Sequence, residues 1–280
     1  MKQDREQELI TRLSLMQKLS LGEAMELLNV SESTARRMFA KLERDGFAIR
    51  THGGVQCVNH AMTLYSFEYG ARTNIGKKTA IGREACKFLE DGDVVFCDSG
   101  TTIQCLCAEI VYRLRKEKLN IQVYTNSLAN LEMLSPYLKV NLVGGEYRAN
   151  RKDFCGYLTE QALNGLYFTK SFVGADGCVQ GRLFTTTDFE TARMNEIAMR
   201  NSERTFMLVD SSKFSLSSHV AYAPVQNIHT IVTDTGISPE ILDQLSHSSV
   251  RVICVDAEEE AGAAPNGADA ALGVLEPERR

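Results

Sequence analysis

From residue 94 to residue 255, seven short apolar runs alternate with stretches of helical periodicity. This alternation restricts the fold more than any other feature of the chain. The runs span 94–97, 121–124, 140–143, 171–173, 206–209, 230–232 and 252–255. They are near-continuously apolar, as strands are when both sheet faces are covered. Helical spacing occupies 103–114, 128–134, 156–163, 189–201 and 239–245, and an amphipathic stretch over 75–89 precedes the first run. The expected architecture for residues 75–256 is α/β: a doubly wound, mostly parallel sheet between helices.

At 280 residues the chain suits two unequal domains, by a prior of roughly 100–200 residues per domain. With 44% hydrophobic residues it has ample material for both cores. Residues 1–58 follow a different plan. Leu9, Ile10, Leu13 and Met16 mark a helix over 4–17, and Lys18-Leu19-Ser20 reads as a break. A second helix over 21–28 turns Ala24, Leu27 and Leu28 inward, and Asn29-Val30-Ser31 is a tight turn. A third helix starts at Ser31, whose hydroxyl suits an N-cap, buries Ala35, Met38, Phe39 and Leu42, and stops at Gly46. Two short strands, 47–50 and 55–58, flank the turn Thr51-His52-Gly53-Gly54. Helix, helix, turn, helix and two-stranded wing make an N-terminal winged helix-turn-helix.

On the third helix, Ser33, Arg37, Lys41 and Arg44 share one stripe, with Thr34 beside them and Arg36 on the flank. Short hydroxyls and an arginine near a helix start can meet base edges in the major groove, and further cations can meet phosphates. Overall net charge is -5 and the pI about 5.7, so a nucleic-acid footprint must be local. Residues 31–54 supply one, with Arg36, Arg37, Lys41, Arg44 and Arg50 against Glu32, Glu43 and Asp45. Expected DNA contacts are Ser31, Ser33, Thr34, Arg36, Arg37, Lys41, Arg44, Arg50, His52 and Gly53. A solvated amphipathic helix with a hairpin is the plainer alternative. A protein-binding winged helix is another, against which the single cationic stripe favours phosphate partners.

No stretch approaches the roughly 18 apolar residues of a membrane span, and the N-terminus lacks an apolar signal core. A cytoplasmic protein is expected, with its eight cysteines reduced and no metal site, since no Cys-x-x-Cys pair occurs. Residues 59–74 read as a linker with room for a short helical piece. Residues 257–280, rich in Glu, Ala, Gly and Pro, are expected to be disordered.

In open α/β sheets ligands bind where loops leave the carboxyl ends of strands, and anions favour helix N-termini. Five polar segments stand at such exits: Asp98-Ser99-Gly100-Thr101-Thr102, Thr125-Asn126-Ser127, Gly144-Gly145, Gly174-Ala175-Asp176-Gly177 and Asp210-Ser211-Ser212-Lys213-Phe214. Any one of them is an ordinary turn. Together they outline a pocket in which the first loop cradles an anion and Lys213 adds a charge.

Two sets of motifs carry a family resemblance. Glu23-x-x-x-x-Leu28-Asn29-Val30-Ser31-x-x-Thr34-x-Arg36-Arg37, then Leu42-Glu43-x-x-Gly46 and Arg50-x-His52-Gly53-Gly54, resemble the N-terminal signature of the DeoR-type regulators of sugar operons. Asp-x-Gly-Thr-Thr, Thr-Asn-Ser, Gly-Gly, Phe-x-Gly-x-x-Gly and Asp-x-Ser-Lys-Phe, in this order, resemble their effector domain, itself similar to sugar-phosphate isomerases. The likeness spans about residues 4–255, with one departure: Met38 stands where the family usually has Asp after the arginine pair. It implies a repressor of a carbohydrate operon, with double-stranded operator DNA and a phosphorylated sugar or polyol as partners and no cofactor. Ser99, Gly100, Thr101, Thr102 and Lys213 would hold the phosphate. Asp98, Asn126 and Asp176 would face hydroxyls, with Thr125, Ser127, Gly144, Gly145 and Gly177 completing the site. A homo-oligomer, dimer or tetramer, is expected, because paired winged helices read two half-sites. The competing reading is a sugar-phosphate isomerase with an accessory winged helix. Such an enzyme needs a positioned base, for which Asp98, Asp176 and Glu190 are the candidates, whereas Gly177 stands where a second carboxylate would help. A cationic recognition stripe has no use in an isomerase, so no catalytic residue is assigned.

Overall fold

A computed structural model describes residues 18–44, 48–57 and 67–257, together with Arg5, Glu8, Leu9, Arg12, Leu13 and Met16. Those six are helical, and Leu9 and Leu13 are buried against Phe39, Leu42 and Val55. Met16, expected inside, is 44% exposed. Ile10, Gly46, Phe47 and Val58 lie outside the described residues.

Strand β1 (Lys18–Ser20) leads into helices α1 (Leu21–Leu28) and α2 (Glu32–Arg44), then into wing strands β2 (Ala48–Thr51) and β3 (Gly54–Cys57). The expected break at 18–20 is thus a strand. Leu19 is buried between exposed Lys18 and Ser20, and it pairs antiparallel with Val55 in a sheet ordered β1-β3-β2. Ser20 also caps α1 through a capping box: Glu23 N donates to Ser20 Oγ at 3.2 Å, and Ser20 N to Glu23 Oε2 at 2.7 Å. The Ser-x-x-Glu spacing was there to be read. Three residues are too few to show a strand's alternation.

Of the linker segment, residues 67–72 form helix α3 (Phe67–Arg72). Residues 59–66, and the tail from 258 onward, lie outside the described residues. The second unit then runs α4 (Ile75–Cys86), β4 (Val94–Cys97), α5 (Thr101–Leu114), β5 (Gln122–Thr125), α6 (Leu128–Leu134) and β6 (Val140–Leu142). A hairpin, β7 (Glu146–Arg148) and β8 (Asp153–Cys155), leads to α7 (Tyr157–Asn164) and β9 (Phe168–Val173). There follow β10 (Gly177–Val179), β11 (Leu183–Thr186), α8 (Phe189–Arg200), β12 (Ser202–Leu208), β13 (Val220–Pro224), β14 (Thr230–Asp234), α9 (Pro239–Ser246) and β15 (Arg251–Val255).

The seven apolar runs become the seven strands of one sheet, ordered β15-β14-β12-β9-β4-β5-β6 and parallel at every pairing. Residues alternate between two cores, as the strand period requires. Val95 and Cys97 join Ile81, Ile103 and Leu106 on one face, and Phe96 joins Phe168, Met194 and Ile197 on the other. Each fully buried phenylalanine contributes roughly 1.5–3 kcal/mol. The antiparallel additions, β7-β8 and β10-β11-β13, carry no period in the sequence. Segments such as Glu-Tyr-Arg and Asp-Phe-Cys are too short and polar to signal one. No described helix is long and apolar enough to cross a membrane.

Candidate functional site

The winding of the sheet reverses between β4 and β9. From β4 the chain proceeds outward through β5 and β6, then returns to the other side of β4 and proceeds through β12, β14 and β15. The loops leaving β4 and β9 therefore diverge, and a crevice opens at the carboxyl ends of these two strands. Around it lies a cleft of about 450 Å³ of empty space. Asp98, Ser99, Gly100, Thr101, Thr102, Asp176 and Lys213 line it, so the fold brings together these seven of the expected residues.

The loop after β4 is held from below. Asp98 is buried, and its carboxylate accepts from Ser99 N at 2.6 Å, Gly174 N at 3.2 Å and Asn195 Nδ2 at 3.3 Å. Burial pushes this carboxyl above its ordinary range, against the pull of the Ser99 and Gly174 amides. The contact to Gly174 joins the exits of β4 and β9 directly. Above Asp98, α5 begins at Gly100, which supplies no capping side chain. The first N–H groups of this 14-residue helix thus face the cleft with the positive end of its dipole.

Three cations surround that end. Lys213 comes from the turn after β12, as expected. Lys78 and Arg151 were not expected. Lys78 projects from α4, is only 4% exposed, and donates to Gly70 O at 2.6 Å and Thr101 Oγ1 at 3.1 Å. Burial lowers its pKa to about 8, with Asp210 pulling it up and Lys213 pushing it down. The sequence did carry a signal: Lys78, Ile81 and Ala85 are spaced i, i+3, i+7, which puts a lysine on the buried face of a helix. Arg151 comes from the β7–β8 turn. It donates to Thr187 Oγ1 at 3.0 Å, pairs with Asp188 at 3.2 Å and lies 3.8 Å from Asp176. Nothing in the local sequence marks it, because its arrival depends on how the hairpin folds back over the sheet.

The other expected residues do not line the cleft. Thr125, Asn126 and Ser127 are fully buried and structural. Thr125 Oγ1 donates to Cys97 O at 2.6 Å, Asn126 Nδ2 to Phe154 O at 3.1 Å, and Ser127 Oγ caps α6 by accepting from Asn130 N at 3.2 Å. Gly144 and Gly145 leave β6, two strands away from the reversal. A side chain at Gly145 would collide with Thr159 and the Cys155 carbonyl, and one at Gly177 would stand 2.6 Å from the Leu216 carbonyl. These glycines permit close packing. The exits of β4, β9 and β12 reach the cleft and those of β5 and β6 do not, and the sequence does not say where each strand lies in the sheet.

In the first unit, Ala35, Phe39 and Leu42 of α2 are buried and Met38 packs beside them. Ser31, Ser33, Arg36, Arg37 and Arg44 are exposed, and Thr34 and Lys41 are half-buried. Ser31 stands at the N-cap position. Its carbonyl accepts from Thr34 N and Ala35 N at 3.0 Å, and its hydroxyl lies 3.1 Å from those of Ser33 and Thr34. Arg36 pairs with Glu32 at 2.8 Å, so an acidic residue one turn earlier engages the arginine that Met38 cannot. Arg50 and His52 are exposed on the wing, whose tip turns at Gly53 with φ 100°. Glu43 Oε1 accepts from Arg50 N at 3.3 Å and ties wing to helix.

Residues 5–61 match the DeoR-like helix-turn-helix domain and residues 73–235 the DeoR C terminal sensor domain. The lactose phosphotransferase system repressor of Lactococcus lactis subsp. lactis is 32% identical over 88% of this chain and 96% of its own length. The HTH-type transcriptional regulator IolR of Bacillus subtilis (strain 168) is 31% identical over 79% and 87%. The putative aga operon transcriptional repressor of Escherichia coli O157:H7 is 29% identical over 90% and 93%. Among solved structures, a ribose 5-phosphate isomerase from Methanocaldococcus jannaschii is similar to 51% of this chain over 55% of its own, at 20% identity and a TM-score of 0.40.

Proposed function

The chain belongs to the DeoR family, and we propose that it controls a carbohydrate-utilisation operon by binding operator DNA through α2 and the wing, under the control of a phosphorylated sugar or polyol in the β4–β9 cleft. It is a regulator and not an isomerase with an accessory domain: its curated relatives are named as repressors and regulators. It acts in the cytoplasm, where its operator is.

One observation carries the effector reading. The uncapped start of α5 opens on a cleft lined by Lys78, Arg151 and Lys213. Backbone N–H groups, threonine hydroxyls and three cations around a helix N-terminus suit a phosphate. Asp98 and Asp176, which also line the cleft, offer acceptors to sugar hydroxyls. In the DNA-binding unit, the exposed Ser33, Arg37 and Arg44, with Lys41 between them, face the major groove, while Arg50 and His52 on the wing approach the adjoining backbone. A homo-oligomer assembled through residues 75–256 pairs two such units on a pseudo-palindromic operator.

A thermal-shift screen of sugar phosphates and polyol phosphates, each beside its unphosphorylated counterpart, tests the reading. A ligand that binds the folded chain at 100 times its Kd adds about 2.7 kcal/mol of apparent stability. The phosphorylated member of one pair raises Tm and its counterpart does not. Equal shifts for both members would remove the phosphate from the assignment. Sedimentation velocity of the full chain, alone and with operator, tests the assembly; a monomer on DNA would sink it.

A further inference from the structure

Helix α3 begins where the DNA-binding unit has just ended, with only residues 58–66 between it and β3. This helix and the α3–α4 junction are fastened to the three segments that bring Thr101, Arg151 and Lys213 to the cleft. Lys78 Nζ bridges Gly70 O of α3 and Thr101 Oγ1 of α5. Phe67 N donates to Asn150 O at 3.0 Å, Glu68 pairs with Lys152, and the Lys152 ammonium lies 5.4 Å from the Phe67 ring centre, so the same helix holds the turn that carries Arg151. At the junction, Asn74 Nδ2 donates to Asp210 Oδ1 at 3.0 Å, and Lys77 Nζ donates to Ser211 Oγ at 2.8 Å and pairs with Asp234 at 2.9 Å. That binds it to the turn carrying Lys213. Through these contacts α3 and the start of α4 form a strap tied to the segments that carry Thr101, Arg151 and Lys213.

We propose that Lys78 couples the cleft to this strap: an anion at the start of α5 binds the Lys78 ammonium and thereby tightens its hold on the Gly70 carbonyl, stiffening the segment that follows the DNA-binding unit. The inference rests on the anion-site reading above and adds its route of communication. An ammonium has three donors, and Gly70 O and Thr101 Oγ1 take two, which matches a third partner in the cleft that Lys78 lines. Burial lowers the pKa of this lysine to about 8, so its charge thins as pH rises toward that value, and an anion in the cleft holds the charged form. A charged donor makes a stronger bond to a carbonyl than a neutral amine does. The ligand thus has a differential interaction with the strapped and loosened forms of α3, which any shift between two states requires. Gly70 leaves little slack, since a side chain there would stand 3.2 Å from the Thr101 methyl.

Hydrogen–deuterium exchange of the full chain, with and without saturating inorganic phosphate, tests the coupling. Two peptides are followed, one over 99–104 and one over 67–74. In the wild type, phosphate slows exchange of both, the second by at least roughly threefold. In Lys78→Met, at a phosphate concentration that saturates the variant, the first remains protected and the second exchanges at its phosphate-free rate. Protection of 99–104 with unchanged or faster exchange over 67–74 in the wild type overturns the coupling and leaves the anion site standing. Equal protection of 67–74 in the variant overturns the role of Lys78. Protection of neither peptide overturns the anion site itself, and the coupling with it. If Lys78→Met does not fold, Lys78→Gln takes its place, and the wild-type comparison still overturns the coupling if 67–74 is not protected.

Discussion

Ser99 and Asp153 stand 54 residues apart in the chain, and the Ser99 hydroxyl donates to the Asp153 carboxylate at 2.9 Å. Both are buried, and Arg148 holds the same carboxylate through two donors at 2.9 and 2.8 Å. The loop that opens α5 is thus locked to the hairpin that delivers Arg151. Ser99→Ala leaves Asp153 still paired and should cost about 1 kcal/mol in urea unfolding. Asp153→Ala removes two bonds from Arg148 but leaves it paired with Asp188 at 2.8 Å and Glu190 at 3.4 Å, and should cost more than Ser99→Ala, roughly 1.5–3 kcal/mol. Equal costs would mean that Arg148 does not depend on Asp153.

Effector affinity should fall by about 1–3 kcal/mol on Thr101→Val, which keeps the shape and loses the hydroxyl, and on Lys213→Ala, which loses a charge. Neither should alter operator affinity without ligand. Calorimetric titration with the phosphorylated ligand from the screen checks this. Wild-type affinity in both variants would place the phosphate elsewhere.

Arg37→Ala should weaken operator binding by roughly 1–3 kcal/mol and relax specificity at the base it reads. Arg44→Ala should weaken all sequences alike and reduce the salt slope by about one unit. Titration of operator and scrambled DNA at several salt concentrations separates the two. The recognition assignment fails if neither variant changes.

Phosphate affinity should fall as pH rises through about 8, where Lys78 loses its proton in the folded chain. The sign for stability is opposite. Because the folded value lies below the ordinary 10.5, the unfolded chain binds more protons between about 8 and 10.5, and stability rises across that window. Lys78→Met should lose both dependences. Paired calorimetry and denaturation from pH 7 to 10 give the two slopes, and an unchanged stability slope in the variant would assign it to another group.

The sequence by itself determined the elements whose burial is periodic. Seven strands, most helices and the inward face of α2 follow from apolar spacing, because a residue's side of a helix or strand depends only on its position in the repeat. Helix α2 and the Asp98–Thr102 loop could be read for the same reason: their chemistry is contiguous in the chain. Strand order belongs to the tertiary structure, and with it the placement of the winding reversal beside β4, which brings Asp98 and Asp176 to one cleft that Thr125 and Gly144 do not line. So do the arrivals of Lys78 and Arg151, from a helix face and a hairpin turn that no local pattern ties to the cleft. The short antiparallel strands were hidden because segments of three to five residues are too short to display a period. Local repeats specify which side of an element is buried, and long-range pairing alone specifies what that side meets.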